Sequence, residues 1–240
     1  MGLTRITGQK TTFKYTLSIT QDHYYDRKKK DKTDELKPYS EYLEIISQSH
    51  GRASVFQDYL TIVVCCLSMQ QKEDVYLATV KKYTSEELTM FSQAFASMVL
   101  WMEQHPLEDA LGDYFQQHIS HGHNGQFFTP ESVARLMARI VNPHGEGLRV
   151  SDCCCGSGAL LLSAAQVNRA QEFFGADISE MCCMMALINM CLNDLTGEIY
   201  HMDTLSMEMW RAWRVCRWPM TRLPYIQELT VADEPEDFGK

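Results

Sequence analysis

Nowhere in the chain does an uninterrupted apolar run approach the roughly 18 residues that a membrane-spanning helix needs. The longest near-candidate, residues 59–69, stops at Gln70, Gln71 and Lys72. That excludes a spanning helix, and no membrane partner is expected. The N-terminal residues 1–14 are polar and basic, with no apolar stretch leading to a small-residue cleavage site, so no secretory signal is read there and a cytoplasmic location is expected. The nine cysteines never take a Cys-x-x-Cys spacing. Most are direct neighbours (Cys65 and Cys66; Cys153, Cys154 and Cys155; Cys182 and Cys183), whose side chains diverge on a helix or strand, so a four-thiolate zinc site is excluded and reduced, buried thiols are expected. Positive charge is also scarce: 22 Lys and Arg face 31 Asp and Glu, a net charge of -9. Nucleic-acid binding by bulk charge is thereby excluded, while a local basic patch stays open.

Such a patch exists at the start. Residues 1–37 hold nine Lys or Arg against five acids, including the run Arg27, Lys28, Lys29 and Lys30, and read as a basic flexible leader. Beyond Pro38 apolar residues recur at three- and four-residue spacing through residues 39–69 and 86–103 (Leu88, Phe91, Phe95, Met98, Val99, Met102), and Thr84 stands as an N-cap before Glu86 and Glu87. Residues 107–118 suggest a further helix. Together, residues 38–120 are expected to form a helical N-terminal domain. After a loop at His121, Gly122 and His123, Thr129 and Pro130 open another helix with Val133, Leu136, Met137 and Ile140 on one apolar face.

The pattern then alternates short apolar runs with helices: 148–152, helix 158–169, 172–177, helix 179–192 and 198–202. Strand, helix, strand, helix, strand implies parallel strands with right-handed crossovers, so residues 121–230 are expected to form a doubly wound α/β domain whose ligand site lies at the carboxyl ends of the strands. Only three strands are evident, which makes the sheet look truncated. Residues 204–230 are rich in Trp and Arg, and 231–240 form an acidic tail.

The sharpest chemical signal is Asp152-Cys153-Cys154-Cys155-Gly156-Ser157-Gly158 between the first strand and its helix. Gly156 and Gly158 allow a tight turn close to a ligand, and the helix beginning after them offers unpaired N–H groups to a carboxylate. Asp177, about twenty residues on at the end of the second strand, can accept both hydroxyls of a ribose. Asp203 ends the third strand and can accept from an adenine amino group. His118, His121 and His123 are no metal site, since no carboxylate or thiol completes a set. Met181, Met184, Met185 and Met190 at helical spacing are expected to fill the core. Trp210, Trp213 and Trp218 beside Arg211, Arg214 and Arg217 could stack bases, but packing over a sheet edge is the preferred reading.

These residues resemble the S-adenosylmethionine-binding part of the N6-adenine DNA methylase family, the modification-subunit type of type I restriction systems. The segment Gly125-Gln126-Phe127-Phe128-Thr129-Pro130 resembles the family's Gly-Gln-Phe-aromatic-Thr-Pro stretch, and residues 152–158 resemble its Asp-Pro-x-Cys-Gly-Ser/Thr-Gly loop, with Cys153 in place of Pro. Residues 173–177 and 201–205 resemble the ribose and adenine segments. The resemblance implies a Rossmann-like methyltransferase core, S-adenosylmethionine as cofactor, and Gln126, Phe127, Phe128, Thr129, Asp152, Cys154, Gly156, Ser157, Gly158, Asp177, Ile178, Asp203 and Leu205 as its binding residues. It also implies an Asn/Asp-Pro-Pro-Tyr/Phe segment that holds a flipped adenine, and the sequence has none. The nearest fragments, Arg217-Trp218-Pro219-Met220 and Arg222-Leu223-Pro224-Tyr225, carry Arg, which has no acceptor; Pro224 and Tyr225 are therefore only weak catalytic candidates. Three readings stay open: DNA modification by adenine-N6 methylation, a catalytically silent cofactor-binding partner or regulatory subunit, and methylation of another substrate. Candidate partners are DNA and a protein, either another subunit or a second copy, covering the sheet edge.

Overall fold

In a computed structural model of the chain, residues 36–69, 71–120, 129–141 and 147–230 are described. They fall into two compact units, residues 1–66 with 72–101, and residues 67–71 with 102–240. The division drawn from the sequence between residues 120 and 121 falls inside the second unit. The basic leader up to residue 35 and the acidic tail lie outside the described residues.

The first unit is helical: α1 (Tyr39–Ser47), α2 (Arg52–Leu67), α3 (Glu73–Val80) and most of α4 (Ser85–Gln104). The expected long stretch 39–69 is broken at Ser49, His50 and Gly51. Thr84 and Glu87 form a reciprocal cap at the start of α4, with each backbone N–H donating to the other side chain (2.8 and 3.3 Å). Leu43, Phe56, Tyr59 and Met98 are fully buried, and the Tyr59 hydroxyl donates to Met98 Sδ at 3.4 Å.

The second unit is α/β. A short helix α5 (Ala110–Phe115) runs into a single wide turn (Gln116–Ser120), and α6 (Glu131–Val141) leads to β1 (Arg149–Asp152). Then α7 (Ala159–Val167), β2 (Glu172–Asp177), α8 (Glu180–Leu192) and β3 (Gly197–Asp203) follow as the alternation predicts. β1, β2 and β3 are parallel neighbours. The sheet is not limited to three strands: the Trp-rich tail supplies β4 (Glu208–Arg217), antiparallel to β3, and β5 (Pro224–Glu228), antiparallel to β4. The final order is β1-β2-β3-β4-β5. The β3 edge is thus covered by the chain itself, and Trp213, buried on β4, packs as expected. The buried Glu198 carboxylate finds its counter-charge in Arg214, which donates to it at 2.7 Å. From Cys182 to Cys191 α8 is buried throughout, including Met184, Met185 and Met190, as expected of core-filling methionines. No disulfide joins any of the nine cysteines, and six of them are buried.

Candidate functional site

β1 delivers Asp152 to its carboxyl end, where the chain turns through Cys153 to Ser157 into α7. Gly158 has φ +88°, a conformation in which an L side chain is strained, and Gly156 has φ +54°. The turn is held from below by Cys155, whose N–H donates to the Ala176 carbonyl of β2 at 2.9 Å and whose own carbonyl accepts from the Gly158 N–H at 2.8 Å. Burial pushes the Cys155 thiol well above its ordinary pKa, so this sulfur is a packing group and not a nucleophile. Cys153 and Cys154 are exposed on the outer side of the loop.

Asp177 ties the loop to the next crossover. Its Oδ2 accepts from the Gly156 N–H at 2.9 Å, and its Oδ1 accepts from the Ser179 N–H at 2.8 Å. Ser179 in turn caps α8 by accepting from the Cys182 N–H. Each carboxylate oxygen keeps a second lone pair for a ligand hydroxyl. Asp152 accepts from the Cys154 N–H at 3.1 Å, while its Oδ2 is buried with no hydrogen-bond partner among the described residues. Burial, and then the charge of Asp177, raise the Asp152 pKa, so a cation at this edge would be electrostatically welcome. Asp203, half-buried, accepts from the Leu205 and Ser206 N–H groups at 2.9 and 3.3 Å, and these bonds lower its pKa. Ile178 and Leu205 stand open beside the two acids, 63% and 95% exposed. Thr204 closes the ring of loops by donating to the Cys153 carbonyl at 3.1 Å.

Ser157 takes a different place from its neighbours. It is wholly buried, and its hydroxyl donates to Asp109 Oδ2. Asp109 caps α5 by accepting from the Gly112 N–H at 2.9 Å, and it accepts from Asn189 Nδ2 of α8 at 2.8 Å; the same amide donates to the Ser157 carbonyl at 2.9 Å. The Ser157 peptide is thereby fixed from its side chain and its carbonyl at once. Burial pushes the Asp109 carboxyl up to about 6, against the lowering effect of its three donors. Sequence reasoning missed Asp109 and Asn189. Asp109 did carry a signal, an acid three residues before the N–H it caps, but nothing local to Asn189 marks its bond to a residue 80 positions away.

Of the residues inferred by resemblance, Asp152, Cys154, Gly156, Ser157, Gly158, Asp177, Ile178, Asp203 and Leu205 meet at one sheet edge, the carboxyl ends of β1 to β3. Thr129 precedes α6 and lines a small cleft of about 70 Å³ with Asp109, Asp113 and Ala159. Gln126, Phe127 and Phe128 lie outside the described residues, as do His121 and His123. Pro224 and Tyr225 require a correction. β5 runs parallel to β3, and Tyr225 pairs with Cys216 next to the Val215–Gly197 pair. They therefore lie at the amino end of β3, roughly 20 Å of strand away from Asp203. The arginines of β4 are also committed: Arg211 to Glu180 and Glu228, Arg214 to Glu198, and Arg217 to Asp194. Trp213 packs, whereas Trp210 and Trp218 are exposed, so the packing expected of all three rings holds for Trp213 alone.

The profile of the family described as N-6 DNA Methylase matches residues 107–237. A type I restriction enzyme MpnII methylase subunit from Mycoplasma pneumoniae is 31% identical over 117 residues, covering 42% of this chain and 22% of that protein. A ribosomal protein L11 methyltransferase from Caldanaerobacter subterraneus subsp. tengcongensis is 32% identical over 108 residues, covering 45% and 33%. The chain thus spans a third or less of the length of these relatives. Among solved structures, a type I restriction-modification methyltransferase subunit from Streptococcus thermophilus aligns over 85% of this chain and 48% of its own, at 19% identity and a TM-score of 0.40.

Proposed function

The chain belongs to the N-6 DNA methylase family, and from that premise we propose that it binds S-adenosylmethionine at the carboxyl edge of β1 to β3 and serves adenine-N6 modification of DNA. The observation that carries this reading is Asp177, which accepts from both the Gly156 and the Ser179 N–H groups and so joins the glycine turn and the end of β2 into one cradle. The residues fit the cofactor. The orphaned Asp152 Oδ2 can accept from an ammonium group, and the amides at the N-terminus of α7 can donate to a carboxylate. Asp177 can accept from the ribose hydroxyls and Asp203 from the adenine amino group, with Ile178 and Leu205 as apolar walls. S-adenosylmethionine supplies a methyl group on a sulfonium; the acids at Asp152 and Asp177 favour its positive charge. Ser157 acts through its backbone, with its side chain committed to Asp109.

DNA is the proposed methylated polymer, reached in company with a protein partner. Thermal unfolding with and without S-adenosylmethionine tests the cofactor reading. A rise in melting temperature that grows with ligand concentration in the wild type and is smaller in Asp203→Ala supports it. No shift at millimolar ligand overturns it.

A further inference from the structure

Among the described residues two aromatic rings are exposed, Trp210 by 44% and Trp218 by 41%. Trp218 lies against Tyr225, with 5.7 Å between ring centroids, at the end of the sheet remote from the acids. Trp210 stands at the opposite end, where the strand is irregular. Along a regular strand residues 210 and 211 would point to opposite faces. β4 bulges instead: Arg211 is the partner of His201 and Met209 that of Met202, with Trp210 the extra residue. A bulge re-aims a side chain, and bulges are enriched beside active sites. Here both residues turn to the side of α8. Arg211 binds Glu180 at the start of α8, and the Trp210 ring centroid lies 4.7 Å from that of His201.

Two hydrogen bonds tie this ring to the acids of the cofactor edge. His201, the register partner of Asp177, donates from Nε2 to the Ile178 carbonyl at 3.2 Å, so Trp210 rests on a side chain anchored to the residue after Asp177. Its own Nε1 donates to Glu208 at 3.1 Å, and Glu208 is the register partner of Asp203. The ring is held in place while much of it stays in water. Ile178, Leu205 and Met207 are exposed at the same edge. Apolar groups around two carboxylates fit a ligand with a flat apolar face and hydrogen-bond donors on its rim. A purine with an exocyclic amino group is such a ligand.

We propose that Trp210 is the aromatic wall of the base pocket, against which the adenine of the cofactor lies while Asp203 accepts from its amino group. This role rests on the assignment of that edge to S-adenosylmethionine. The strand order decides between the cofactor's own base and a base being methylated. In that assignment Asp152 and the α7 amides hold the methionine end at β1, and Trp210 on β4 is three strand spacings away, roughly 14 Å. Asp177 and Asp203, on β2 and β3, lie between the two. The end of the cofactor that reaches β4 is therefore its base, and a base receiving the methyl group belongs at the other end.

Titration of the full chain with S-adenosylhomocysteine, followed by tryptophan emission and by calorimetry, tests this. The emission of the wild type should change as the site fills. That change should vanish in Trp210→Phe and persist in Trp218→Phe. Trp210→Ala should weaken S-adenosylhomocysteine by about tenfold, the scale of one ring stacked on one base. It should weaken 5′-methylthioadenosine, which keeps the base and ribose but lacks the amino acid, by the same factor. Trp210→Phe keeps an aromatic ring and should recover most of the affinity. Saturable binding that leaves the emission unchanged, or that is indifferent to Trp210→Ala, overturns the role of Trp210 and leaves the cofactor site standing. A loss in Trp210→Ala that Trp210→Phe does not recover marks a merely structural ring and overturns it as well. No binding to the wild type overturns the cofactor site itself, and Trp210 with it.

Discussion

Replacing Gly112 by Ala reverses an ordinary expectation. In a solvent-facing helix this change gains on the order of 1 kcal/mol, because Ala loses less backbone entropy on folding. Gly112, buried in α5, has no room for it: an added Cβ would fall inside contact distance of Asp109 Oδ2 and Ser157 Oγ, two atoms hydrogen-bonded to each other. To admit the methyl group, one of them must move. A charge-assisted bond contributes about 1.5–3 kcal/mol, and a buried carboxylate deprived of a donor costs a similar amount. Set against the propensity gain, Gly112→Ala should destabilise the chain by about 2–4 kcal/mol. Urea unfolding followed by far-ultraviolet circular dichroism at pH 7 measures this as a lower midpoint at unchanged slope. The cause is checked in a Ser157→Ala background, where the hydroxyl is gone and the added cost should fall to less than half. If Gly112→Ala were as stable as the wild type, the Asp109–Ser157–Asn189 link would not hold the glycine turn.

The same carboxylate carries a pH signature. The folded Asp109 titrates near 6 against 3.8 for the free group, so between those values the folded state holds the extra proton and stability falls as pH rises; Asp109→Asn should remove a slope worth about 3 kcal/mol across that window, seen by comparing urea midpoints at pH 4 and pH 7. An unaltered pH dependence would show that Asp109 ionises as freely as in the unfolded chain. Asp177→Ala should weaken S-adenosylhomocysteine binding by about 1.5–3 kcal/mol, read by calorimetric titration, because Gly156 and Ser179 lose their acceptor as well as the ligand. Unchanged affinity would remove Asp177 from the site. The isolated chain should form no N6-methyladenine in DNA, since Pro224 and Tyr225 lie at the wrong end of the sheet and Arg217 and Arg222 can only donate; mass spectrometry of digested DNA would contradict this by finding the modified base.

The parallel half of the sheet was legible because its signals are local. Each strand ends in an acid, each crossover helix begins at a Gly or Ser cap, and the apolar runs 172–177 and 198–202 differ by at most one residue from β2 and the middle of β3. The antiparallel half was hidden by its own chemistry. Arg211, Arg214 and Arg217 recur every three residues, which masks a period of two, and the strand register shifts between His201 and Met202, so Met209 and Arg211 face neighbouring residues of β3 while Trp210 is extra. The cations fit because carboxylates from elsewhere in the chain receive them, as Glu198 receives Arg214. The glycine turn and the acids at 177 and 203 could likewise be read directly from spacing. Asp109 and Asn189 could not, since their meaning exists only once α5, the turn and α8 are brought together. Nor does the amphipathic pattern of α6 tell which side is covered: its small residues, and not its large ones, face the protein.

The central claim is that one edge of this sheet binds S-adenosylmethionine, and isothermal titration of the full chain with S-adenosylhomocysteine tests it most directly. The account predicts a saturable heat with one ligand per chain, abolished by excess S-adenosylmethionine and reduced in Asp177→Ala; a flat titration at millimolar ligand with a chain that still unfolds cooperatively would contradict it.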